Sequence, residues 1–254
     1  MDDISPSPSP LAAGDALTQY REALDAANSH LNALNIAATG LAAPGGPVET
    51  DRLTTHQYAL HGYAWMATYV TALAQLLGWA ERLHTAGRLG DLEGLILQCG
   101  FGAYLKQLRH GITMSQDEFA RPGDLGLDEA AALDTPAARQ LMARGDTIAV
   151  RQQIAHILSE RRGTGSFGDP GLDETHSMIR DQFARFSDER VAPAAQAWHI
   201  ADDLIPLDII DEMSELGVFG LTLPEEEGGL GLDKTAMCVV TEELSRGYIG
   251  VGSL

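Results

Sequence analysis

The chain has 254 residues, of which 44% are hydrophobic, so most of it is expected to fold as one large domain or two smaller ones. Its formal net charge is −19, since 17 lysines and arginines face 36 aspartates and glutamates. This balance argues against a nucleic-acid partner and against binding to an anionic membrane surface, because both are contacted through lysine and arginine.

The cysteines and the N-terminus bear on the cellular compartment. Cys99 and Cys238 are far apart in the sequence and form no CxxC pattern, which predicts no disulfide framework and favours a reducing cytoplasm. The chain starts with MDDISPSPSP, which is acidic and unlike a signal peptide. No apolar stretch approaches the roughly 20 residues that span a bilayer. We therefore expect a cytoplasmic protein without a membrane partner.

Composition along the chain predicts four parts. Residues 1–13, rich in serine and proline, are expected to be a disordered tail. A helical extension should cover 14–162, a glycine-rich linker 163–172, and a second helical domain 173–254. Because no stretch shows a convincing strand ladder, the predicted fold class is all-α.

The first two helices of the extension differ in pattern. The first carries an apolar stripe at alternating spacings of three and four residues, and the glycines and prolines of 40–47 should end it. The second should run over about 51–86, and apolar residues on nearly every side indicate a central, buried helix. Its tryptophans, Trp65 and Trp79, are therefore interpreted as core residues. The stripe of the first helix comprises Leu17, Tyr20, Leu24, Ala27, Leu31 and Leu34.

Two further helices complete the predicted extension. Asp91 should cap the third, which would end near 110–111. Small residues in its middle would allow close approach to a neighbouring helix; they are Gly100, Gly102 and Ala103. Thr135 and Pro136 form a good start for the fourth helix, which should end near Arg161.

Three helices are predicted in the second domain. Asp173 should cap the first, which would end near Pro193. Pro206 should begin the second, and Gly217 should stop it. The third should occupy about 234–246, with its apolar residues on one face.

The stretch LTLPEEEGGLGLD at 221–233 has three interpretations. A phosphate-binding loop needs glycine amides at a helix N-terminus, yet here Glu225–Glu227 would repel an anion and no Gly-Lys-Ser/Thr ending follows. A carboxylate cluster is disfavoured, because consecutive loop residues point in divergent directions. A solvated turn between helices is favoured, with Asp233 capping the next helix.

No other residue pattern indicates chemistry. His56 and His61 are five residues apart and would not share a helix face, and neither HExxH nor CxxC accompanies them, so no metal site is expected. Ser115 and Ser245 lack a nearby histidine and the Gly-x-Ser-x-Gly elbow of serine hydrolases. These patterns alone describe a two-part helical protein without an assigned activity.

The second domain nevertheless resembles the N-terminal helical domain of the acyl-CoA dehydrogenases. Four segments match that family in order and spacing: IRDQFARFSDERVAP, PLDIIDEMSELGVFGLTLPEEEGGLGLD, TAMCVVTEELSRG and GVGSL. The resemblance implies FAD-dependent α,β-desaturation of an acyl-CoA substrate, in which a glutamate removes the α-proton and FAD takes the β-hydrogen as hydride. It also implies electron-transferring flavoprotein as a partner and a homo-oligomer, either a dimer or a tetramer.

The extension favours one branch of that family. The whole arrangement is similar to the methylsuccinyl-CoA dehydrogenases, which carry such an extension and convert (2S)-methylsuccinyl-CoA to mesaconyl-CoA in the ethylmalonyl-CoA pathway. Parts of the extension also look similar to the C-terminal helical bundle of some larger acyl-CoA dehydrogenases. Two alternatives stay open: another short-chain acyl-CoA dehydrogenase, and a non-catalytic helical interaction module built on the same domain.

The resemblance implies few site residues in this chain. The family's β-barrel domain, most of its FAD-binding surface, its C-terminal four-helix bundle and the catalytic glutamate are expected beyond Leu254. No catalytic residue is therefore assigned, and the chain alone is expected to be inactive. Val251, Gly252, Ser253 and Leu254 match the start of the segment that lines the acyl pocket, where the small Gly252 and Ser253 would leave space for a branched or carboxylated acyl chain. The same residues also suit an ordinary turn and helix cap, and Glu225–Glu227 match a structural turn of the family.

Overall fold

The computed structural model describes residues 16–127, 131–162 and 167–254. The expected disordered tail and the beginning of the expected linker lie outside these ranges. The chain forms two compact units, an N-terminal unit, Met1–Gly171, and a C-terminal unit, Leu172–Leu254. The described parts of both are mostly helical with little strand, which confirms the all-α fold class. No helix in them is long and apolar enough to cross a membrane.

The described part of the N-terminal unit contains six helices and one short strand ladder. These elements are α1 (Ala16–Ala42), α2 (Thr50–Thr55), α3 (Gln57–Thr85), α4 (Asp91–His110), β1 (Ile112–Thr113), β2 (Phe119–Ala120), α5 (Pro136–Arg144) and α6 (Ile148–Glu160). Two 3-10 turns, Pro122–Leu125 and Ala131–Leu133, lie between β2 and α5. The antiparallel ladder was not predicted, because two residues per strand are too few to show an alternating pattern.

The predicted stripe of α1 forms part of the core. Leu17, Ala27 and Leu34 are buried, and the helix packs mainly on α3. Helix α1 continues through Gly40 and ends at Ala42. The prolines that follow, rather than this glycine, therefore stop the helix, because proline lacks the amide that helix continuation needs.

The second predicted helix is two helices, and it is buried on one side only. His56, with φ −106° and ψ 16°, lies between α2 and α3 outside helical geometry. Trp65 is 38% exposed, so its interpretation as a core residue is wrong, whereas Trp79 is partly buried against the core. The buried positions of α3 recur every three or four residues, because α1 and α4 cover one face. They are Gly62, Met66, Val70, Leu73, Leu77, Ala80 and Leu83.

Helix α4 makes a close approach at Gly102, but to a connection between helices rather than to the neighbouring helix that the sequence predicted. A Cβ at this glycine would lie 2.7 Å from the Gly145 Cα and 2.5 Å from the Asp146 nitrogen. The contact is therefore between the backbone of α4 and the backbone of the α5–α6 connection. Only glycine at Gly102 permits it, because a side chain would occupy the space of the facing main chain.

Two helices replace the single helix predicted from Thr135 to Arg161. The Thr135 hydroxyl caps α5 as predicted, by accepting the Ala138 N–H at 3.2 Å. The Thr147 hydroxyl caps α6 in the same way, by accepting the Val150 N–H at 3.3 Å. The second cap supplies an acceptor for a helix-terminal amide, so the chain turns between the two helices without leaving that amide unpaired.

The described end of the expected linker is fastened to the N-terminal unit around Asp169. The Trp79 indole donates to the Asp169 carbonyl at 3.0 Å, and the Arg88 guanidinium contacts the Asp169 carboxylate at 2.6 Å. The Asp169 amide donates to Glu93 Oε1 at 2.9 Å, which gives this buried carboxylate a partner. Residues 167–171 are therefore held against the N-terminal unit by hydrogen bonds and an ion pair.

The C-terminal unit is built from five helices around its own core. They are α7 (Glu174–Phe186), α8 (Ala192–Ala201), α9 (Leu207–Glu215), α10 (Lys234–Gly247) and α11 (Ile249–Gly252). The caps predicted for α7 and α10 are confirmed, because Asp173 accepts the His176 N–H at 2.8 Å and Asp233 accepts the Ala236 N–H at 2.9 Å. The core comprises Phe183, Phe186, Val191, Ile209, Met213, Leu221, Val240, Leu244 and Val251.

The prediction that the first of these helices ends near Pro193 is wrong. A π-helical turn, Ser187–Val191, carries α7 directly into α8, and Pro193 occupies one of the first positions of α8. Proline is tolerated there because its missing amide has no helical partner in a first turn. The turn also brings the buried Ser187 hydroxyl to the Glu243 carbonyl of α10, at 2.6 Å.

Candidate functional site

The turn at 221–233 uses its amides within the turn. Glu225–Glu227 form an exposed 3-10 turn between α9 and α10. The Gly228 amide donates to the Glu225 carbonyl at 3.0 Å, the Gly229 amide to the Pro224 carbonyl at 3.0 Å, and the Gly231 amide to the Leu223 carbonyl at 2.8 Å. These three glycine amides are therefore not available to a phosphate, and the interpretation as a structural turn holds.

His176 contacts two aspartates of the C-terminal unit. Its Nδ1 lies 2.8 Å from Asp173 Oδ1, and its Nε2 lies 2.9 Å from Asp233 Oδ1. Because these two aspartates are the N-caps of α7 and α10, one imidazole ring joins the N-termini of two helices. We call this arrangement the histidine clasp.

The clasp requires a charged imidazole when both aspartates are ionised. A carboxylate can only accept a hydrogen bond, so both ring nitrogens must donate. Hydrogen bonding to Asp233, with a smaller contribution from Asp173, raises the pKa of His176. In return the pKa of Asp233 is lowered, first by the Ala236 amide and then by His176. The pKa of Asp173 is lowered by the amide and the ring of His176.

The clasp should stabilise the C-terminal unit within a defined pH range. The raised histidine pKa gives stabilisation that is complete below the ordinary value of 6.5 and is lost as the pH rises through the folded-state value. The lowered aspartate pKa values give stabilisation that is present above the ordinary value of 3.8 and is lost as the pH falls. The clasp is therefore strongest between these two ordinary values.

Replacing His176 with glutamine should cost the C-terminal unit about 1 kcal/mol near pH 6, because two charge-assisted hydrogen bonds are lost. The cost should shrink towards pH 9. Amide hydrogen exchange at the starts of α7 and α10, corrected for intrinsic rates, measures it locally. A local probe is needed because burial lowers the pKa of His30, which destabilises the N-terminal unit on acidification. His156→Gln, at an exposed position of α6, is the matched control. An equal cost at both pH values would contradict a charged clasp.

Two of the four predicted acyl-pocket residues pack inside the C-terminal unit. Val251 is 1% exposed and belongs to the core. Gly252 lies against α10, where an added Cβ would be 2.7 Å from the Ser245 nitrogen and 2.8 Å from its Cα. The small size of Gly252 is thus required by packing against Ser245.

The other two predicted residues are exposed at the end of α11. The Ser253 hydroxyl donates to the Gly250 carbonyl at 3.1 Å, which leaves its oxygen free to accept a hydrogen bond. The Leu254 side chain is 57% exposed. Of the four residues, Ser253 and Leu254 are therefore the ones whose side chains could contact an acyl group.

The remaining candidates do not form a reactive centre. His61 accepts a hydrogen bond from the Trp65 indole at 3.0 Å and lies 3.8 Å from Glu118. Ser115 bonds its own turn through the Glu118 amide at 3.2 Å. The described ranges place no three histidine, cysteine, aspartate or glutamate side chains together as metal ligands. Both cysteines are free thiols.

Sequence reasoning missed the histidine clasp. Asp173 and His176 are three residues apart, so their contact had a local signal. Asp233 is 57 residues from His176, and no local pattern could pair them.

Comparison with known proteins gives a domain match and several relatives. Residues 173–254 match the family described as "Acyl-CoA dehydrogenase, N-terminal domain". The chain is 49% identical over 95% of its length to the (2S)-methylsuccinyl-CoA dehydrogenase of Cereibacter sphaeroides, and this match covers 44% of that protein.

Two other relatives match about a third of the chain. The benzylmalonyl-CoA dehydrogenase of Aromatoleum aromaticum is 43% identical over 33% of this chain and 22% of its own length. The mitochondrial short-chain specific acyl-CoA dehydrogenase of Rattus norvegicus is 37% identical over 32% of this chain and 19% of its own length. The chain thus spans less than half of each of these three relatives.

Proposed function

We propose, from the match of residues 173–254 to the acyl-CoA dehydrogenase N-terminal domain, that this chain is the N-terminal part of an FAD-dependent acyl-CoA dehydrogenase. The complete enzyme would introduce an α,β double bond into a short branched acyl-CoA. Its substrate would be (2S)-methylsuccinyl-CoA and its product mesaconyl-CoA, formed in the ethylmalonyl-CoA pathway.

One observation supports the assignment of this substrate. The match to the Cereibacter sphaeroides enzyme covers 95% of the chain and so includes most of the N-terminal unit, whereas the matches to the benzylmalonyl-CoA and short-chain dehydrogenases cover 33% and 32% of it. A shared domain alone supports the reaction type only, because one fold can serve many substrates. A match of 49% identity that extends over 95% of the chain therefore favours this branch.

Within the chain, we assign the substrate contact to Ser253 and Leu254. Val251 and Gly252 would act indirectly, by fixing α11 against the core and against Ser245. We assign no proton transfer to this chain. Glu225–Glu227 are exposed in a turn, and no second catalytic group stands beside them in the described structure.

The two long helices α7 and α10 do not offer a flavin phosphate a free N-terminus. The helix N-termini of α7 and α10, which could attract a phosphate, are each capped by an aspartate carboxylate. FAD, which supplies the hydride acceptor in this reaction class, would therefore be bound mainly by the part of the relatives that this chain does not span. We further propose electron-transferring flavoprotein as the electron acceptor and a homo-oligomeric enzyme.

The test is an acyl-CoA oxidation assay of the full-length gene product that contains this chain. We expect dye reduction with methylsuccinyl-CoA to exceed that with butyryl-CoA and isobutyryl-CoA by roughly tenfold or more in kcat/KM. The 254-residue chain, assayed alongside, should be inactive with all three. Preference for butyryl-CoA would overturn the substrate assignment. Absence of activity with every acyl-CoA, in a folded product, would favour the non-catalytic module.

A further inference from the structure

A five-residue segment at the end of the N-terminal unit is fastened by the main chain of one residue. We call this segment, residues 167–171, the strap. The Asp169 amide donates to Glu93 Oε1 at 2.9 Å, and the Asp169 carbonyl accepts from the Trp79 indole at 3.0 Å. Glu93 is only 5% exposed. Releasing the strap would take a hydrogen-bond donor away from a buried carboxyl group, so the fastened state is favoured.

The side chain of Asp169 adds two further contacts. Its Oδ2 lies 2.6 Å from Arg88 Nη1, and its Oδ1 accepts the Gly171 amide at 2.8 Å. Because its amide and its carbonyl are bonded as well, this one residue uses all of its polar groups to fasten the strap. The Arg88 side chain is half exposed, so the ion pair contributes less than the bond to the buried Glu93.

Close packing extends the fastening to the last residue of the strap. Gly171 has φ +69°, and a Cβ there would lie 3.1 Å from Trp79 Cδ1 and 3.6 Å from Leu83 Cδ2. The main chain of the strap therefore lies directly on side chains of α3 at Gly171. The N-terminal unit ends at this residue.

One residue separates the strap from the first helix cap of the C-terminal unit. This unit begins at Leu172, and Asp173 is the N-cap of α7. Within the described range 167–254, Leu172 alone stands between Gly171 and this cap. The sequence predicted a linker over 163–172, and in the described part of that linker only Leu172 lies outside the strap.

The length of this joint determines how far one unit can move with respect to the other. Each residue has two soft dihedral angles, so a joint of one residue permits little movement. Release of the strap would make all of 167–172 part of the joint. The end-to-end distance of a flexible segment grows with the square root of its length, so six residues reach roughly twice as far as one.

We propose that the strap is a latch that limits the joint between the two units to Leu172. In the fastened state, the contacts of Asp169 hold the strap on the N-terminal unit, and the C-terminal unit moves only about Leu172. In the released state, the joint comprises 167–172. Segments held by a few hydrogen bonds open locally without unfolding of the whole domain, so both states are accessible to the folded chain. The latch is independent of the proposed dehydrogenase reaction.

Pulsed electron–electron double resonance between two nitroxide labels measures the freedom of the joint. One label is attached to the exposed Cys238 of α10 and the other at Thr71→Cys, an exposed position of α3, in a Cys99→Ala background. We expect a narrow distance distribution in the 254-residue chain and one roughly twice as wide in Asp169→Ala. Asp25→Ala, which removes an exposed carboxylate from α1, is the matched control and should leave the width unchanged.

Amide hydrogen exchange shows separately whether a variant has released the strap. The amide of residue 169 keeps its acceptor, Glu93, in Asp169→Ala, so its exchange reports the strap itself. We expect its protection to fall roughly tenfold or more. If circular dichroism shows that Asp169→Ala unfolds the N-terminal unit, Asp169→Asn takes its place. This variant removes the charge that pairs with Arg88 and keeps an acceptor for Gly171, and the same two changes are expected at smaller size.

Three results would overturn the proposal. Retained protection of the residue 169 amide in the folded variants would show that the Asp169 side chain does not hold the strap. Fast exchange of this amide with an unchanged distance distribution would show that the strap does not limit the joint. A broad distribution in the chain with Asp169 intact would show that the joint is already free.

Discussion

Replacing Gly102 with alanine should destabilise the N-terminal unit by about 3 kcal/mol, at the upper end of the usual cost of overpacking. The added Cβ would lie 2.5 Å from the Asp146 nitrogen and 2.7 Å from the Gly145 Cα. Both are main-chain atoms, so the strain cannot be relieved by a rotamer change. The α5–α6 connection must move away from α4, and this movement would also weaken the hydrogen bond from Gln98 to the Arg144 carbonyl.

Gly40→Ala provides the matched control for this substitution. Gly40 also lies in a helix, in the last turn of α1, but it is exposed and a Cβ there would meet nothing within 4 Å. We expect that variant to be stabilised by up to about 1 kcal/mol, because alanine restricts the unfolded chain and favours the helix. Urea unfolding followed by circular dichroism gives both values. Equal stability of Gly102→Ala and the unmodified chain would show that the backbone contact is not close in solution.

The sequence could predict the close approach at Gly102 but not the partner in that contact. Small residues in the middle of a helix are a local signal, and they were identified as such. Gly145, the residue in contact, lies in a segment that the sequence assigned to the middle of one long helix. Its role depends on two backbones meeting in the folded chain. This information is non-local, and the interruption of the fourth helix was missed for the same reason.

The burial of α3 shows a second limit of prediction from the sequence. Alanine, leucine and aromatic residues surround this helix, and composition alone predicted burial on every side. The structure buries one stripe and leaves Tyr58 and Trp65 exposed at 51% and 38%. Hydrophobic residues often remain on protein surfaces, because polar residues are too few to cover them. The pattern therefore predicted the helix correctly, but it predicted burial on every side where the structure buries one face.

The site residues stay a prediction, and the structure changes how their sizes are interpreted. Residues 251–254 were selected by a family resemblance that the comparisons confirm for 173–254. The small size of Gly252 was interpreted as space for an acyl chain, whereas the structure fills that space with Ser245. The direction in which a residue at the end of a short helix points depends on packing. Assigning Ser253 and Leu254 to substrate contact therefore stays a proposal based on their exposure.

Replacing Gly229 with alanine should destabilise the C-terminal unit by about 3 kcal/mol, which makes it the counterpart of the Gly102 substitution in the other unit. A Cβ here would lie 2.6 Å from the Leu223 carbonyl carbon and closer still to the oxygen and Cβ of that residue. Two backbone hydrogen bonds hold this side of the turn together, from Leu230 to Gly220 at 2.9 Å and from Leu232 to Leu221 at 2.8 Å. A bulkier residue would lengthen or break these two hydrogen bonds. The turn that leads into α10 would then be distorted.

A substitution at the neighbouring Gly228 distinguishes the effect of backbone conformation from that of steric contact in the same turn. Its φ is +85°, and a Cβ there would meet nothing within 4 Å. Asparagine tolerates this left-handed conformation better than most residues, so Gly228→Asn should cost less than about 1 kcal/mol. Amide exchange of α10, combined with urea unfolding, compares the two variants. If both cost the same, the turn is limited by backbone conformation alone, and the close contact of Gly229 with Leu223 contributes nothing.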